Sequence, residues 1–312
     1  MKKVYYSGEY IETLPNLKKA SCKFMMVSRR DALKGIASVA VAGALPVSVS
    51  ANSGSEKKPQ ARFKHSVCRW PYSGKTLEEL CEAAVDIGIE SIELLNPNEY
   101  ETVKRYGLTC AMANSVPLSL TEGFNNPALH EKLQKEYFEL FPKVADAGFE
   151  KVICFSGNRN GISDEQGIEN CAVGLEPVVK KASEYGLTLC MELLNSKVDH
   201  ADYQCDHTKW GVALCEKLGA DNFKLLYDIY HMQIMEGDII ATIREYHPYI
   251  AHYHTGGVPG RNEIDESQEL NYKAIMQAIA ETGFDGFVAQ EFIPKAEDVF
   301  TSLKQGVEIC NV

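Results

Sequence analysis

Residues 187–194 read Leu-Thr-Leu-Cys-Met-Glu-Leu-Leu, an apolar run that carries one carboxylate, Glu192. The run is apolar along its length instead of alternating with polar residues, which is typical of a parallel strand covered by helices on both faces. A stretch of helical period, residues 164–185, comes before it, and Gly186 follows that stretch where a left-handed residue ends many helices. The order of helix, glycine and buried strand indicates a chain built from β/α units.

The same pattern repeats along the chain. Strands are predicted at residues 62–70, 91–95, 108–113, 151–155, 187–194, 223–230, 250–255 and 286–292, and helices at residues 76–87, 98–106, 127–147, 164–185, 206–218, 238–249, 272–282 and 296–310. Eight such units predict the α/β class and a single (β/α)8 TIM barrel, for which about 250 residues is typical. The alternative is an open doubly wound sheet, but the sequence lacks the glycine-rich phosphate turn that usually accompanies one.

The first 51 residues differ from the rest of the chain. Ser28-Arg29-Arg30-Asp31-Ala32-Leu33-Lys34 precedes an uncharged run, residues 35–49, and Val49-Ser50-Ala51 has the small-x-small pattern of a cleavage site. The segment resembles a twin-arginine export signal, for which Met25 or Met26 would be a more usual start. An internal amphipathic helix is the alternative, but the uncharged run has no polar face.

This interpretation divides the chain into three parts. Residues 1–51 are an N-terminal extension with the signal, residues 52–61 a linker and residues 62–312 the catalytic barrel. The protein is expected in the bacterial periplasm, or in the cytoplasm if the signal does not function. The uncharged run is shorter than the roughly 20 residues that a membrane helix needs, so no membrane span is expected after processing.

Charge and cysteine content restrict the partners and the compartment. The formal net charge is -11, although residues 1–51 carry eight Lys or Arg against three Asp or Glu, so the remaining body is strongly acidic and unsuited to nucleic acid. The ten cysteines include no Cys-x-x-Cys pair, and without Cys22 their number is odd. We expect buried reduced thiols. Oligomeric state is left open, a homo-oligomer included.

Four consecutive predicted strands bring an ionisable side chain to the same end of the barrel. These are Glu192, Asp228, His254 and Glu291. Three carboxylates at one barrel mouth repel one another unless a cation lies between them. Three carboxylates with one imidazole suit Mg²⁺ or Mn²⁺, with Co²⁺ or Zn²⁺ as further options. Glu93, at the end of the second predicted strand, is a candidate supporting residue.

The residues around these four positions resemble a known family, the xylose-isomerase-like sugar isomerase and epimerase barrels, and within it the hydroxypyruvate isomerases. The resemblance covers residues 62–310 and lies in Glu192-Leu193-Leu194-Asn195, Asp228-Ile229-Tyr230-His231, His252-Tyr253-His254, Val258-Pro259-Gly260-Arg261-Asn262-Glu263 and Gln290-Glu291. It implies that Glu192, Asp228, His254 and Glu291 bind the metal. It also implies that His231 and Arg261 contact the substrate.

Two departures from the family pattern concern the substrate. Hydroxypyruvate isomerases tend to have Gln at the position of His254, where keto-sugar epimerases have His. The usual Pro-Gly-Thr-Gly-Glu continuation after Glu263 is replaced by residues 264–269, Ile-Asp-Glu-Ser-Gln-Glu. Both an isomerase of a small hydroxy-carbonyl compound and a 3-epimerase of an unphosphorylated keto-sugar therefore remain open.

The residue types fit a proton-transfer reaction. Moving a carbonyl along a 2-hydroxy-carbonyl compound requires loss of a proton beside the carbonyl and gives an ene-diolate, whose charge a divalent cation can stabilise. Glu192 and Glu291 are the candidate acid–base residues, one on each side of the substrate. Arg261 would bind a substrate carboxylate or hydroxyl, and His231 would donate to a substrate oxygen. Other function classes are a metallohydrolase of the endonuclease IV type, which needs a basic DNA groove, and a non-catalytic sugar-acid binding protein.

Overall fold

The computed structural model describes residues 63–115 and 120–312, so the predicted signal and linker lie outside the described residues. The strands of the described part are β1 (Lys64–Cys68), β2 (Ser91–Glu93), β3 (Lys151–Cys154), β4 (Thr188–Glu192), β5 (Phe223–Asp228), β6 (Ile250–Thr255) and β7 (Phe287–Gln290). Its α-helices are α1 (Leu77–Ile87), α2 (Tyr100–Arg105), α3 (His130–Asp146), α4 (Asp164–Glu184), α5 (Thr208–Leu218), α6 (Ile229–Met235), α7 (Ile239–Tyr246), α8 (Tyr272–Glu281) and α9 (Val299–Cys310). Strands and helices alternate as predicted, except that two helices follow one another between β2 and β3 and between β5 and β6.

All strand pairs of the sheet are parallel, and the strand order is β2-β1-β7-β6-β5-β4-β3. The first strand therefore pairs with both the second and the last strand, as in a barrel. Isolated parallel bridges continue the ring between β2 and β3, where Ala113 pairs with both Leu95 and Val152. The predicted (β/α)8 barrel is confirmed, and the doubly wound alternative is wrong.

The third predicted strand, residues 108–113, is not a regular strand. It joins the ring through the bridges at Thr109 and Ala113 and through the backbone N–H of Leu94, which donates to the carbonyl of Met112 at 2.8 Å. Between the bridges, the backbone N–H of Ala111 donates to the side-chain oxygen of Ser91. A side chain therefore takes an N–H group that a regular ladder would use, and periodicity does not reveal such competition.

Glycines end the helices as the sequence predicts. Positive φ angles occur at Gly88, Gly107, Gly148, Gly186, Gly219 and Gly283, each just past a helix. Gly88, for example, has φ 89° and donates its N–H to the carbonyls of Ala84 and Val85 in the last turn of α1. A side chain would be strained in this conformation, so the position favours glycine.

The barrel interior is packed with side chains below the predicted site. Met112, Ile153, Cys190 and Leu226 form a buried apolar cluster there, separate from the larger core between the sheet and the helices. Since side chains on one face of a strand are two residues apart, Glu192 lies one step beyond Cys190, and Asp228 one step beyond Leu226. Glu192 and Asp228 consequently lie directly above this apolar cluster.

The end of β5 differs from the prediction. The sequence predicts a strand up to Tyr230 and then no helix until residue 238. In the structure the strand ends at Asp228 and α6 begins at Ile229. The Asp228 carboxylate accepts the backbone N–H of His231 at 3.0 Å and so caps the helix. The apolar run continues across this boundary, which explains the error.

Every cysteine in the described residues is buried and unpaired, as predicted. Burial raises the pKa of these thiols, for example that of Cys190 to about 12. They therefore behave as small apolar side chains at neutral pH.

Among the described helices, none combines the length and apolar character required to cross a membrane.

Candidate metal centre and active site

The four predicted ligands meet at the carboxyl ends of their strands. Glu192 and Asp228 end β4 and β5, His254 lies one residue before the end of β6, and Glu291 follows β7 directly. One ligand atom from each side chain lies within 4.8 Å of those of the other three, and all four residues are buried. The structure thus brings together the four residues selected from the sequence.

Unsatisfied oxygen atoms in this group are consistent with a cation site. Glu192 Oε1 and Asp228 Oδ2 are buried and have no hydrogen-bond partner among the described residues. His254 Nδ1 lies 3.4 Å from the first oxygen and the Arg261 guanidinium 3.5 Å from the second, which is too far for a good hydrogen bond, and a cation between the carboxylates would satisfy both oxygens. Three carboxylates and one imidazole at these separations are a donor set that fits a divalent metal ion.

A buried carboxylate orients the imidazole ligand. His254 Nε2 lies 2.8 Å from Glu93 Oε1, while Nδ1 lies 2.9 Å from Glu291 Oε2 and 3.4 Å from Glu192 Oε1. Donation from Nε2 to Glu93 leaves Nδ1 as the nitrogen that faces the carboxylates. This pairing of a carboxylate with a metal-binding histidine is the usual way in which proteins fix the ring. Glu93 therefore contacts the predicted ligand His254, which is the position that the sequence analysis expects of a supporting residue.

A second histidine, His252, also contacts Glu93. His252 Nε2 also lies 2.8 Å from Glu93 Oε1, and both residues are fully buried. Burial alone would raise the pKa of Glu93, but His252 and His254 outweigh it and lower that pKa to about 2. Glu93 is therefore an anion at neutral pH and a permanent hydrogen-bond acceptor.

The carboxylates at the barrel mouth have different environments. Burial, together with the charge of Glu291, raises the pKa of Asp228 well above its usual range. Burial acts in the same direction on Glu291, but Arg261 and His254 overcome it and hold the pKa of Glu291 well below its usual range. Without a cation, the group therefore tends to keep protons on some of its carboxylates.

His231 is a neutral donor beside Asp228. The Asn195 amide oxygen accepts the N–H groups of Val198 and Asp199 at 3.0 and 2.9 Å, so its NH₂ group faces His231 Nδ1 at 2.6 Å. The proton of the neutral ring is then on Nε2, which has no hydrogen-bond partner among the described residues. Burial and the nearby charge of Arg261 lower the pKa of His231 well below its usual range.

Arg261 contacts the carboxylates directly. Its guanidinium lies 2.6 Å from Glu291 Oε2 and 3.5 Å from Asp228 Oδ2, and it packs against the rings of Trp70 and Tyr230. Arg261 has φ 58°, in the left-handed region, and follows Gly260 with φ 93°. The chain turns sharply in this loop, which brings the side chain back over the strand ends.

A cavity of about 490 Å³ opens above the ligands. Glu192, Glu291 and Arg261 line it, together with Trp70 and His200. His200 Nε2 is buried and has no hydrogen-bond partner in the described part of the chain, so it is available to a bound molecule. Burial, with the charge of Arg261, lowers the pKa of His200.

Trp70 and His200 line the cavity but were not predicted from the sequence. Trp70 lies at the start of a short 3-10 helix after β1, and His200 in the turn region after β4. Their positions at the carboxyl ends of strands were the available signal. Asp206, which follows β4 at the same end of the barrel, lies outside the ligand group and pairs with Arg159 at 2.8 Å.

Most of the chain matches one known protein family. The sequence model of the xylose isomerase-like TIM barrel family matches residues 68–306. A 2-oxo-tetronate isomerase from Cupriavidus necator is 27% identical over 235 residues, covering 70% of this chain and 88% of that protein. Hydroxypyruvate isomerase from Escherichia coli is 28% identical over 149 residues, covering 47% of this chain and 57% of that protein.

Solved structures share the fold at lower sequence identity. A family 2 AP endonuclease from Brucella melitensis superposes with a TM-score of 0.72 at 20% identity, covering 79% of this chain and 99% of that chain. A D-psicose 3-epimerase crystallised in the presence of D-fructose gives a TM-score of 0.62 at 19% identity, covering 78% of this chain and 90% of that one. At these identities the structural matches establish the fold alone.

Proposed function

Because this chain belongs to the xylose isomerase-like TIM barrel family and is an isomerase, we propose that it moves a carbonyl group within a small 2-hydroxy-carbonyl acid, as hydroxypyruvate isomerases do. The observation that carries the proposal is the pair Glu192 and Glu291. Both are buried, both approach His254 Nδ1, and both line the same cavity. Binding alone does not call for such a pair, which argues against a non-catalytic sugar-acid binding protein.

We propose Mg²⁺ or Mn²⁺ as the cofactor, held by Glu192, Asp228, His254 and Glu291. Oxygen-rich sites favour these hard cations, while Co²⁺ and Zn²⁺ are alternatives that a metal analysis would distinguish. When bound, the cation supplies a positive charge that stabilises an ene-diolate.

The acid–base work falls to the two glutamates. Each would remove or return a proton on its own side of the substrate, because the two side chains come from β4 and from the end of β7. Glu291 contacts His254 and Arg261 through Oε2, while its Oε1 accepts the indole N–H of Trp70 and keeps its second lone pair for the substrate. His231 would donate from Nε2 to a substrate oxygen, and its neutral state suits that role.

Arg261 is our candidate for binding the substrate carboxylate. Its guanidinium lines the cavity beside Glu291, and its Nε is buried without a hydrogen-bond partner among the described residues. The three-carbon acid hydroxypyruvate would fit, and so would a four-carbon acid such as the one named for the Cupriavidus necator relative. The substrate class proposed is therefore a short 2-oxo acid with a neighbouring hydroxyl group.

A substrate comparison tests this assignment. Purified protein with added Mn²⁺ is expected to isomerise hydroxypyruvate or a four-carbon 2-oxo acid in preference to ketohexoses. Arg261→Ala is expected to lose kcat/KM for the acid by about 10- to 100-fold more than for a neutral sugar, from the ~1.5 to 3 kcal/mol of a hydrogen bond to a charged group. Using one variant for both substrates cancels the loss of the contact between Arg261 and Glu291. An equal loss on both substrates would contradict the carboxylate role.

A keto-sugar 3-epimerase is the second candidate function. The specific observation in its favour is His254 in the ligand group, in a cavity of about 490 Å³ that exceeds the needs of a three-carbon acid. If a ketohexose is epimerised while hydroxypyruvate is left unchanged, this candidate replaces the first. The acid–base roles proposed for Glu192 and Glu291 are the same in both reactions.

We also propose that the protein is exported through its twin-arginine motif, with cleavage near Ala51. The N-terminus of the protein from the periplasm should then begin at about Asn52, as read by N-terminal sequencing. The double variant Arg29→Lys, Arg30→Lys keeps the charge and is expected to remain unprocessed. Intact residues 1–51 on a cytoplasmic protein would contradict export.

A further inference from the structure

Trp70 occupies a position that the reaction scheme above does not use. It follows β1, its side chain is 39% exposed, and it lines the cavity above the ligand group. Side chains as large as tryptophan are usually mostly buried. The position of Trp70 in the cavity wall, beside the residues assigned to the reaction, explains its exposure. Its contacts reach two of the residues assigned to the reaction.

The first contact is with Glu291. The indole Nε1–H donates to Glu291 Oε1 at 2.8 Å, while His254 and Arg261 lie 2.9 and 2.6 Å from Oε2. The carboxylate is therefore fixed through both oxygens. The bond from Trp70 falls on Oε1, the oxygen that the other two groups leave for the substrate.

The second contact is with Arg261. The guanidinium carbon lies 5.0 Å from the centre of a Trp70 ring and 5.5 Å from the centre of the Tyr230 ring. Both separations are within the range of cation–π interactions. Aromatic rings restrict the guanidinium without using its N–H groups; one of these groups contacts Glu291, and the Nε–H, which has no partner among the described residues, stays available for an anion.

Trp70 itself stands on a rigid turn. The Arg69 guanidinium donates to the carbonyls of Tyr72 and Lys75 at 2.6 and 2.8 Å, and the Ser73 N–H donates to the carbonyl of Trp70 at 3.2 Å. These bonds hold the residues on both sides of Trp70. The indole is thus placed before a substrate arrives, which is how positioning groups reduce the cost of orientation.

From these contacts we infer that Trp70 is a positioning residue for the proposed proton transfer, so the inference rests on the proposed function. Its N–H orients the Glu291 carboxylate and directs Oε1 toward the substrate carbon. Its ring keeps Arg261 facing the substrate carboxylate. The two functions involve different atoms of one side chain, so substitutions can separate them.

Three variants separate these effects kinetically. Trp70→Phe keeps an aromatic face and removes the N–H, so kcat is expected to fall about 10- to 100-fold, as for loss of a hydrogen bond to a charged group, with little change in KM. Trp70→Leu removes both functions and should also raise KM for the acid substrate. Trp70→His supplies a ring N–H again and should recover part of kcat relative to Trp70→Phe.

A readout that does not require turnover is the affinity for Mn²⁺, measured by equilibrium dialysis. Groups that hydrogen-bond to metal ligands typically change metal affinity by about 10- to 100-fold, and Trp70→Phe should weaken binding within that range. The control is Trp210→Phe. Trp210, the other tryptophan, is buried and donates to the carbonyl of Asp164 on α4.

The outcomes distinguish the two proposals. If the parent protein turns over none of the substrates, the proposed function fails, and the Mn²⁺ affinities alone decide whether Trp70 orients Glu291. Parent-like kcat and Mn²⁺ affinity in Trp70→Phe would overturn the inference. Equal losses in all three Trp70 variants, with lower thermal midpoints and no recovery in Trp70→His, would show a purely structural role and overturn it as well.

Discussion

Glu291→Gln is expected to reduce turnover by about 10²- to 10⁴-fold in saturating Mn²⁺, the usual contribution of an acid–base residue. Gln keeps a neutral oxygen that can still contact the metal and the Trp70 N–H, but it cannot accept the proton. Trp70 and Arg261 donate to different oxygens of Glu291, so the Gln oxygen can keep one of these bonds while its NH₂ group loses the other, at the end of a strand where the backbone is unaffected. Steady-state kinetics on metal-loaded protein provide the measurement.

The matched control for this experiment is Glu297→Gln, since Glu297 is an exposed glutamate on the same segment. It should have parent activity. Glu192→Gln should resemble Glu291→Gln if each glutamate serves one side of the substrate. A metal-loaded Glu291→Gln protein that works at the parent rate would show that the two-base scheme is wrong.

Asp228→Asn is expected to weaken metal binding by at least about 100-fold. Substitution of a residue that only hydrogen-bonds to a metal ligand typically costs about 10- to 100-fold. Asn is as good a helix cap as Asp, so the bond to the His231 N–H and the start of α6 should survive. The change therefore removes a charged ligand with little effect on the fold. Elemental analysis after dialysis measures the bound metal.

The matched control here is Asp238→Asn, because Asp238 is exposed and precedes α7 without a side-chain cap. It should retain the metal content of the parent protein. Full metal retention in single substitutions of Glu192, Asp228, His254 and Glu291 would contradict the site. Circular dichroism of Asp228→Asn separates loss of metal from loss of fold.

The meeting of the four ligands could be predicted because it depends on local pattern and chain direction alone. Parallel strands in a barrel all end on one face, so an ionisable residue at the end of an apolar run must lie on that face. Glu192 was visible for this reason, as one carboxylate in an apolar run. The helix ends were equally local, since glycines such as Gly88 mark them.

The errors occurred where side chains override the backbone pattern. At residues 108–113, Ser91 from a neighbouring strand takes the N–H of Ala111, which no property of the segment itself reveals. At the end of β5, the apolar run continues through Ile229 and Tyr230 while the Asp228 cap starts a helix. A charged residue inside an apolar run can therefore mark a boundary as well as a functional site.

Residues far apart in sequence form the walls of the cavity, and these were the least predictable. Trp70 and Glu291 are joined by a hydrogen bond across 221 positions of the chain. Neither a motif nor a period connects them, because the contact depends on the closure of the ring between β1 and β7. Only the three-dimensional arrangement shows that an aromatic residue after the first strand meets a carboxylate after the last.

The origin of the four ligands on four neighbouring strands affects folding as well as chemistry. Glu192, Asp228, His254 and Glu291 follow one another around the ring from β4 to β7. A bound ion would therefore act as a cross-link between chain segments that are distant in sequence, and it would be held at full strength only when β4 to β7 are assembled side by side. Mass action then favours the closed native state over partly opened forms. The ion would then stay bound when β4 to β7 are correctly paired, and it would be released when these strands separate.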